Sequence, residues 1–313
     1  MPPADLRSIP RVAEVLWVRG ARAAAGDAPD LVLEVPHGAT TEAHYDALAA
    51  DLKGPFPADL KHFFFVNTDV GAPEVARRTA ERVAATEPTR TALVIRCLLP
   101  RTFVDCNRLI ASDARPSSSQ AGEMTPGIVS YVKEPADIAL LLARYGAYRA
   151  LVERAFEAVC GAGGAGGAGG GEGVMLHSYA PRSVDVPVDE RIVERLRAAY
   201  SPEQIERWPL RSSVDLITRG PGGDLLASER LSTRARAAFE RAGHAPAENA
   251  AYHLHPSTVA HALALRHPGR TLCLELRRDL LVAGFTPFRE MAIDPAKVDR
   301  LAAPLAEALR HEA

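Results

Sequence analysis

Residues 31–52, LVLEVPHGATTEAHYDALAADL, contain the pattern that decides the fold. The short apolar run over 31–35 predicts a buried strand, and the Ala- and Leu-containing pattern over 42–52 predicts a helix. Similar short β-type runs alternate with helical patterns along the rest of the chain. Strands joined by crossover helices form a largely parallel sheet with helices on both faces. We therefore expect an α/β fold, a three-layer sandwich with a mostly parallel central sheet.

The remaining predicted elements follow the same alternation. No internal repeat is apparent, and we expect a single domain over residues 1–313. The predicted strands are 31–35, 62–66, 92–97, 174–176, 214–217 and 271–276, and the predicted helices are 42–52, 73–84, 135–159, 189–199, 232–241, 258–266 and 295–310.

The segment 161–173 contains only Gly and Ala apart from Glu172. Such a backbone is too free to pack well, so we expect a flexible surface loop here. A phosphate-binding loop would require Lys followed by Ser or Thr after the glycines, and a dinucleotide-binding loop would require a strand before them. Neither context is present.

Composition excludes several classes of partner. The chain of 313 residues is 47% hydrophobic and has a formal net charge of −2, so no global field favours nucleic acid or an anionic membrane. Its cysteines lack CxxC spacing, which indicates reduced thiols. No secretory signal pattern and no long apolar span is apparent. We expect a cytoplasmic protein that acts on a small molecule, without nucleic acid or membrane partners; the sequence makes no prediction of oligomeric state.

Two histidines follow predicted strands. His37 lies in Pro36-His37-Gly38, directly after the run 31–35, and His177 directly follows the run 174–176. Taken alone, His37 is explained equally well by a turn, and a lone histidine at a strand end, such as His177, is more often structural. Because the carboxyl ends of parallel strands meet at one edge of a sheet, the pair indicates a shared metal ion, for which neutral imidazole is a common ligand.

A catalytic zinc usually has three protein ligands, and Asp69 offers a carboxylate after the predicted strand 62–66. Thr68 or Asp69 could instead cap the helix that begins near Pro73. Glu42, close to His37 in the chain, is the competing ligand, although a solvated helix face explains it equally well.

The segment 101–108, RTFVDCNR, combines two guanidinium groups, a carboxylate and an amide. Arg binds a carboxylate through two parallel hydrogen bonds, and Asn adds a donor, so Asn107 and Arg108 suit a substrate carboxylate. Arg101 could polarise a scissile carbonyl. An edge strand in which Asp105 and Arg108 form a structural ion pair is the alternative.

Glu275 is a carboxylate in the middle of the apolar run 271–276. An unpaired buried charge is costly, so it needs either a partner, such as Arg277 or Arg278, or a role as general base. Upstream, Tyr252 is an aromatic residue suited to lining a substrate pocket.

Taken in order, these motifs resemble the N-formylglutamate amidohydrolase family, which is distantly similar to zinc carboxypeptidases and aspartoacylase-type deacylases. The Asp-x-Asn-Arg element with its upstream Arg is the most specific of them. The matching segments span most of the chain and are Pro36-His37-Gly38, Thr68-Asp69, Arg101, the run 104–108, His177-Ser178 and the run 274–276.

The resemblance implies a carboxypeptidase-like α/β fold with one Zn²⁺. It also implies His37 and His177 as metal ligands, with a carboxylate as the third, for which we choose Asp69, and Glu275 as the general base. The chain departs from the pattern of these relatives in three ways, one of which is the absence of the family's usual Ser after the Pro-His motif. Thr40 stands where carboxypeptidases have a Glu, and Cys106 replaces the usual Leu.

The activity that the resemblance implies is zinc-dependent hydrolysis of a small N-acyl amino acid, with N-formyl-L-glutamate giving formate and L-glutamate as the expected reaction. In it, Arg101 and Glu275 are catalytic and Asn107, Arg108 and Tyr252 bind substrate. The alternatives are a metallocarboxypeptidase or deacylase for another acyl amino acid or peptide, and a metal-free binding protein of the same fold.

Overall fold

A computed structural model of the chain describes residues 6–162 and 170–311, which contain one seven-stranded sheet and the helices that flank it. The strands are β1 (Ala13–Arg19), β2 (Leu31–Val35), β3 (Thr91–Cys97), β4 (Glu172–Tyr179), β5 (Val214–Ile217), β6 (Ala247–Glu248) and β7 (Thr271–Arg277). The helices are α1 (Glu42–Ala49), α2 (Leu60–Asn67), α3 (Ala72–Thr86), α4 (Pro135–Cys160), α5 (Ile192–Ala199), α6 (Pro202–Ile205), α7 (Glu229–Arg241), α8 (Val259–Arg266) and α9 (Pro295–Ala308).

The sheet is mostly parallel, as predicted. Its strand order is β1-β3-β2-β4-β7-β5-β6. The central strands β3, β2, β4 and β7 run parallel to one another, whereas β1 and β5 are antiparallel to their inner neighbours β3 and β7. Every residue of β2 and β4 is buried, which explains the uninterrupted apolar runs 31–33 and 174–176 within them.

Helices cover both faces, which confirms the predicted three-layer sandwich. One face of the sheet packs against α3, α7 and α9, with Leu33, Val35 and Leu274 pointing into that layer. The other face contributes Val32 and Cys273 to a second layer that includes α1, α2, α4, α5 and α8. Alternation of side chains along each strand assigns them to these two layers.

The connections around β2 create a site for ligands. The chain leaves β2 and forms β3 on one side of it, then returns through α4 to form β4 on the other side. In open α/β sheets the crevice at such a reversal, beyond the carboxyl ends of the strands, is where ligands bind. His37 follows β2 and His177 lies near the end of β4, so the topology brings both to this crevice.

The prediction of a strand over 62–66 is wrong, because this segment belongs to α2. Short apolar runs fit a buried strand and a buried helix equally well. Phe63, Phe64 and Phe65 are all buried in the layer that also contains α4. Asp69 therefore follows a helix rather than a third strand.

Other predictions have mixed outcomes. The strands β1 and β6 were not predicted, and Glu172 and Gly173 belong to β4 rather than to the glycine-rich loop. Residues 163–169 of that loop lie outside the described residues. All four cysteines are free and buried, as expected. No helix in the described ranges combines the length and apolar character that crossing a bilayer requires.

Gly71, the residue that precedes α3, is required by both its conformation and its surroundings. Its φ is +86°, and a Cβ added there would lie 2.5 Å from the Cβ of Leu281. We expect Gly71→Ala to lower the free energy of unfolding by about 2–4 kcal/mol, because left-handed backbone strain and overpacking add together. Urea denaturation followed by circular dichroism measures this change.

Gly146 provides the matched control. It lies within α4 and a Cβ added there meets no atom within 4 Å. Gly146→Ala should raise the free energy of unfolding by about 0.5–1 kcal/mol, since Ala is the better helix former. Equal effects of the two substitutions would contradict the packing assigned to Gly71.

Candidate metal centre

His37 lies two residues beyond β2, in the turn that Pro36 and Gly38 form with it. Gly38 allows this turn to pack closely, because a Cβ there would lie 2.6 Å from the Arg96 side chain and 3.0 Å from a carbonyl oxygen of β3. The Arg96 side chain in turn donates to the Gly38 carbonyl at 2.7 Å and to the Thr40 hydroxyl at 3.1 Å. The loop that carries His37 is thus fixed to β3.

His177 belongs to β4 itself. It pairs directly with Glu275 of β7 in the parallel register, so the two side chains lie on the same face of neighbouring strands. The ring centroids of His177 and His37 are 5.2 Å apart. The structure therefore brings the two predicted histidines together at the crevice.

Asp69 reaches the histidines from the loop between α2 and α3. Its backbone N–H donates to the His37 carbonyl at 3.2 Å, which fixes the loop against the turn after β2. Helix α3 is capped by Gly71 without a side-chain hydrogen bond, so neither Thr68 nor Asp69 caps that helix with its side chain. The capping alternative is therefore not observed.

These three side chains form a buried cluster. His37 is 3% exposed, Asp69 2% and His177 4%. Nδ1 of His37 lies 3.2 Å and Nδ1 of His177 lies 2.9 Å from the same oxygen, Oδ2 of Asp69. Burial disfavours the ionised carboxyl, yet the two histidines hold the pKa of Asp69 below its usual range.

The cluster fits a divalent metal ion. Each of the three residues offers a ligand atom, and these atoms all lie within 4.8 Å of one another. Two imidazole nitrogens and one carboxylate oxygen are the ligand set of many catalytic zinc sites. Several other divalent ions accept the same set, so the donors themselves do not identify the metal.

Glu42, the competing ligand, lies elsewhere. Its side chain is 56% exposed and forms an ion pair with Lys61 at 2.6 Å. It is not part of the cluster, whereas Asp69 is. The choice between the two carboxylates thus depends on the tertiary structure.

Asp105 supports His37 from the opposite side of the ring. Its Oδ1 lies 2.8 Å from Nε2 of His37, and Arg101 donates through Nε to its Oδ2 at 2.9 Å. Arg108 approaches Oδ2 at 3.6 Å. Burial by itself raises the pKa of Asp105, but Arg101, Arg108 and His37 together hold it well below its usual value. A carboxylate in this position orients a metal-binding imidazole and leaves Nδ1 for the ion.

Arg108 and Asn107 are partly occupied by contacts within the protein. Arg108 donates to the carbonyls of Thr125 and Asn107, and Asn107 accepts from the backbone N–H of Ala260 at the start of α8. The ion pair between Asp105 and Arg108 is present, but the segment 101–108 forms turns rather than an edge strand.

Arg101 and Tyr252 are less constrained. Arg101 uses Nε for Asp105, while its two terminal nitrogens make no hydrogen bond with any described residue. Burial lowers the pKa of Arg101, but Asp105, Asp69 and Tyr252 raise it overall, so these groups lie near one another. Tyr252 is 40% exposed. Of the substrate-binding residues predicted from sequence, Arg108 and the backbone N–H of Asn107 contact Asp105 beside the cluster.

Glu275 lacks a structural partner. Arg277 pairs with Asp279, and Arg278 donates to the Ser178 carbonyl, so neither arginine forms the salt bridge that the sequence allowed. Oε2 of Glu275 is buried and has no hydrogen-bond partner among residues 6–162 and 170–311. Burial raises the pKa of Glu275 to about 7, where a carboxyl group exchanges protons readily at neutral pH.

Sequence reasoning missed two residues at this site. Glu34 of β2 is buried and accepts a hydrogen bond from Tyr148, and burial raises its pKa. A lone carboxylate in an apolar strand, the signal that identified Glu275, also applies to Glu34. Arg278 lies 3.6 Å from Oδ1 of Asp69 and donates to the Val66 carbonyl. Sequence offered it only as a partner for Glu275.

Two solved structures share this fold. An N-formylglutamate amidohydrolase from Ralstonia eutropha JMP134 superposes with a TM-score of 0.55 at 20% identity, covering 93% of this chain and 95% of that chain. A gene product of Agrobacterium tumefaciens gives a TM-score of 0.54 at 19% identity, covering 97% and 96%. The neighbours thus include the protein type that the sequence resembles, and at this identity the likeness shows the fold.

Other comparisons add no argument. A bacteriophage poly-gamma-glutamate hydrolase reaches a TM-score of only 0.41 at 10% identity. No protein-family model matches the chain. No curated protein matches it either. The residues of the site themselves therefore indicate its chemistry.

The contact between His37 and Asp105 predicts a change in metal affinity. We expect Asp105→Asn to weaken Zn²⁺ binding by roughly 10–100-fold, because a neutral amide orients the imidazole less strongly and leaves Arg101 without its charge partner. Competition against a chromophoric chelator measures the affinity, and circular dichroism checks the fold.

Asp137→Asn is the matched control. Asp137 is also a buried aspartate, but it accepts from the backbone N–H groups of Lys53 and Gly54, away from the cluster. Its substitution should leave Zn²⁺ affinity within about threefold of the wild type, since it contacts no ligand. A folded Asp105→Asn protein with unchanged affinity would show that Asp105 does not support a metal ligand.

Proposed function

We propose that this chain is a zinc-dependent amidohydrolase that cleaves a small N-acyl amino acid, with N-formyl-L-glutamate as the first substrate to test. The observation that carries the proposal is the buried cluster of His37, Asp69 and His177, beside which Glu275 stands without a protein partner. A metal ligand set next to a carboxylate that has no structural contact is the arrangement that metal-assisted hydrolysis needs.

The choice of substrate rests on two supports. The first is the ordered set of motifs in the sequence, and the second is the shared fold with an N-formylglutamate amidohydrolase. Arg101 and Arg108 both approach Asp105, the partner of His37 Nε2, and suit an anionic amino acid. We likewise propose a cytoplasmic location with a small-molecule substrate and without nucleic acid or membrane partners, in keeping with the free cysteines and balanced charge.

His37, Asp69 and His177 would hold the ion. When bound, zinc supplies a Lewis acid that polarises the acyl oxygen and lowers the pKa of water from about 16 toward about 7. Asp105 keeps the His37 ring oriented, through the contact of 2.8 Å with Nε2. Arg278 restrains the opposite oxygen of Asp69.

Glu275 transfers a proton during the reaction. It takes one from the attacking water and returns it to the amide nitrogen, so that a carbon–oxygen bond forms and the carbon–nitrogen bond breaks. For a formyl group the products are formate and the free amino acid. Arg101 donates from its terminal nitrogens to the acyl oxygen, on which negative charge develops, and Asn107 and Arg108 hold the α-carboxylate.

The direct experiment measures release of the free amino acid from N-formyl-L-glutamate by the purified protein. We expect activity in the zinc-loaded protein, a loss of at least about 100-fold after chelation, and recovery when Zn²⁺ is restored. N-acetyl-L-glutamate and a dipeptide form the comparison panel. If the protein prefers one of these, that compound replaces N-formyl-L-glutamate as the assigned substrate. A folded protein that binds no metal would support the metal-free binding alternative.

Substitution of Glu275 separates proton transfer from metal binding. We expect Glu275→Gln to lower kcat by roughly 100–10,000-fold while the zinc content stays at one ion per chain, because the amide cannot accept the proton. Glu248→Gln is the control, since Glu248, in the short strand β6, pairs with Arg236 of α7. Full turnover by the Glu275→Gln protein would remove its assignment as general base.

A further inference from the structure

Arg211 lies in the loop that precedes β5. Its backbone N–H donates to the Pro181 carbonyl at 2.9 Å, and its carbonyl accepts from Arg277 at 2.8 Å. Pro181 follows the end of β4, and Arg277 is the last residue of β7. The backbone of Arg211 is therefore fixed to the ends of the two strands that carry His177 and Glu275.

Two tyrosine rings and two hydroxyl groups hold the Arg211 guanidinium. Its central carbon lies 4.9 Å from the ring centroid of Tyr179 and 5.4 Å from that of Tyr252. Nε donates to the Ser183 hydroxyl at 3.0 Å, and one terminal nitrogen donates to the Tyr252 hydroxyl at 3.0 Å. Stacking of this kind orients the planar group before any ligand arrives.

The charge of Arg211 has no counter-ion in contact. No carboxylate of the described ranges lies within ion-pair distance of it, although most partly buried arginines near this edge pair with one. Arg101, for example, contacts Asp105 at 2.9 Å and Arg277 contacts Asp279 at 2.8 Å. All contacts of the Arg211 side chain are with neutral groups. A preorganised guanidinium without a protein carboxylate suits an external one.

Arg211 lies on the face of β4 that carries His177. Tyr179 follows His177 by two residues in β4, so both side chains lie on the same face of the strand, and the ring of Tyr179 carries Arg211 there. Asp215 and Glu275 are the nearest acidic groups of β5 and β7, and Arg211 lowers the pKa of both against the dominant effect of burial.

Tyr252 connects Arg211 with the other cationic group of the site. Its hydroxyl contacts Arg211, and it also lies close enough to Arg101 and Arg108 to affect their pKa values. The site therefore offers two guanidinium positions, one formed by Arg101 and Arg108 beside Asp105 and the other by Arg211 against the rings of Tyr179 and Tyr252. Two separated cationic positions match a substrate with two carboxylates.

We propose that Arg211 is a specificity-determining residue that binds the side-chain carboxylate of an acidic N-acyl amino acid, while the α-carboxylate occupies the position beside Arg108. This inference rests on the proposed function and assigns its substrate class. A substrate with a neutral side chain would displace water from the Arg211 guanidinium and would offer it no carboxylate in return. Discrimination against such a substrate follows, because a polar group that loses its partner on binding is costly.

The kinetic test compares N-formyl-L-glutamate with its neutral isostere N-formyl-L-glutamine. We expect the wild type to prefer the glutamate substrate in kcat/KM, and Arg211→Met to lower that value by roughly 30–100-fold, chiefly through KM. The glutamine substrate should change by less than about threefold. Arg211→Lys should restore part of the preference, since it keeps the charge but not the fork.

A binding test is independent of catalysis. The products L-glutamate and L-glutamine are titrated calorimetrically into zinc-loaded wild-type and Arg211→Met protein, with Arg82→Met as control because Arg82 pairs with Asp299 on α9, in the opposite layer. We expect the wild type and the control to prefer L-glutamate by at least about tenfold, and Arg211→Met to lose that preference.

The two tests distinguish the possible failures. If wild-type protein shows no preference for the acidic ligand, or if Arg211→Met weakens both ligands equally, Arg211 does not determine specificity. If the wild type prefers L-glutamate through Arg211 but hydrolyses no acyl amino acid, the specificity assignment stands and the proposed hydrolysis fails. If the protein hydrolyses acyl amino acids without any preference for an acidic side chain, the proposed hydrolysis stands and the specificity assignment of Arg211 fails.

Discussion

The rest of the site depends on the contacts that the buried carboxylate of Asp69 makes with its neighbours. This carboxylate lies 3.2 Å from His37 and 2.9 Å from His177, while Arg278 approaches its second oxygen at 3.6 Å. These partners come from the turn after β2, from β4 and from the segment after β7. Because a buried charge without partners costs several kcal/mol, all three segments must remain in place around Asp69.

Charges in the crevice fall into two groups with different roles. Asp69 and Asp105 are fully engaged by neighbours, so they fix positions, and the pKa of each lies below its usual value even though burial raises it. Glu275, the terminal nitrogens of Arg101 and the Arg211 guanidinium lack charged partners in the chain as described. The first group builds the site, and the second group is free to act on a ligand.

The fold was largely predictable because periodicity is a local property. Apolar runs such as 31–35 and 271–276 lie in buried strands, and most predicted helices are present within a few residues. The prediction of a strand over 62–66 was wrong because three consecutive phenylalanines suit a buried strand and a buried helix equally well. Only packing against the layer that contains α4 favours the helix α2. The error moved Asp69 from a strand end to a loop without removing it from the site.

By itself, the sequence determined the layered α/β fold, the two histidines at strand ends and the lone carboxylate at Glu275. Only the tertiary structure decided between Asp69 and Glu42, since the choice depends on which carboxylate lies beside both imidazoles. It also revealed Arg211, whose loop sequence carries no signal. The physical reason is that spacing along the chain specifies faces and ends of elements, whereas contact and the absence of a partner arise only when distant segments pack together.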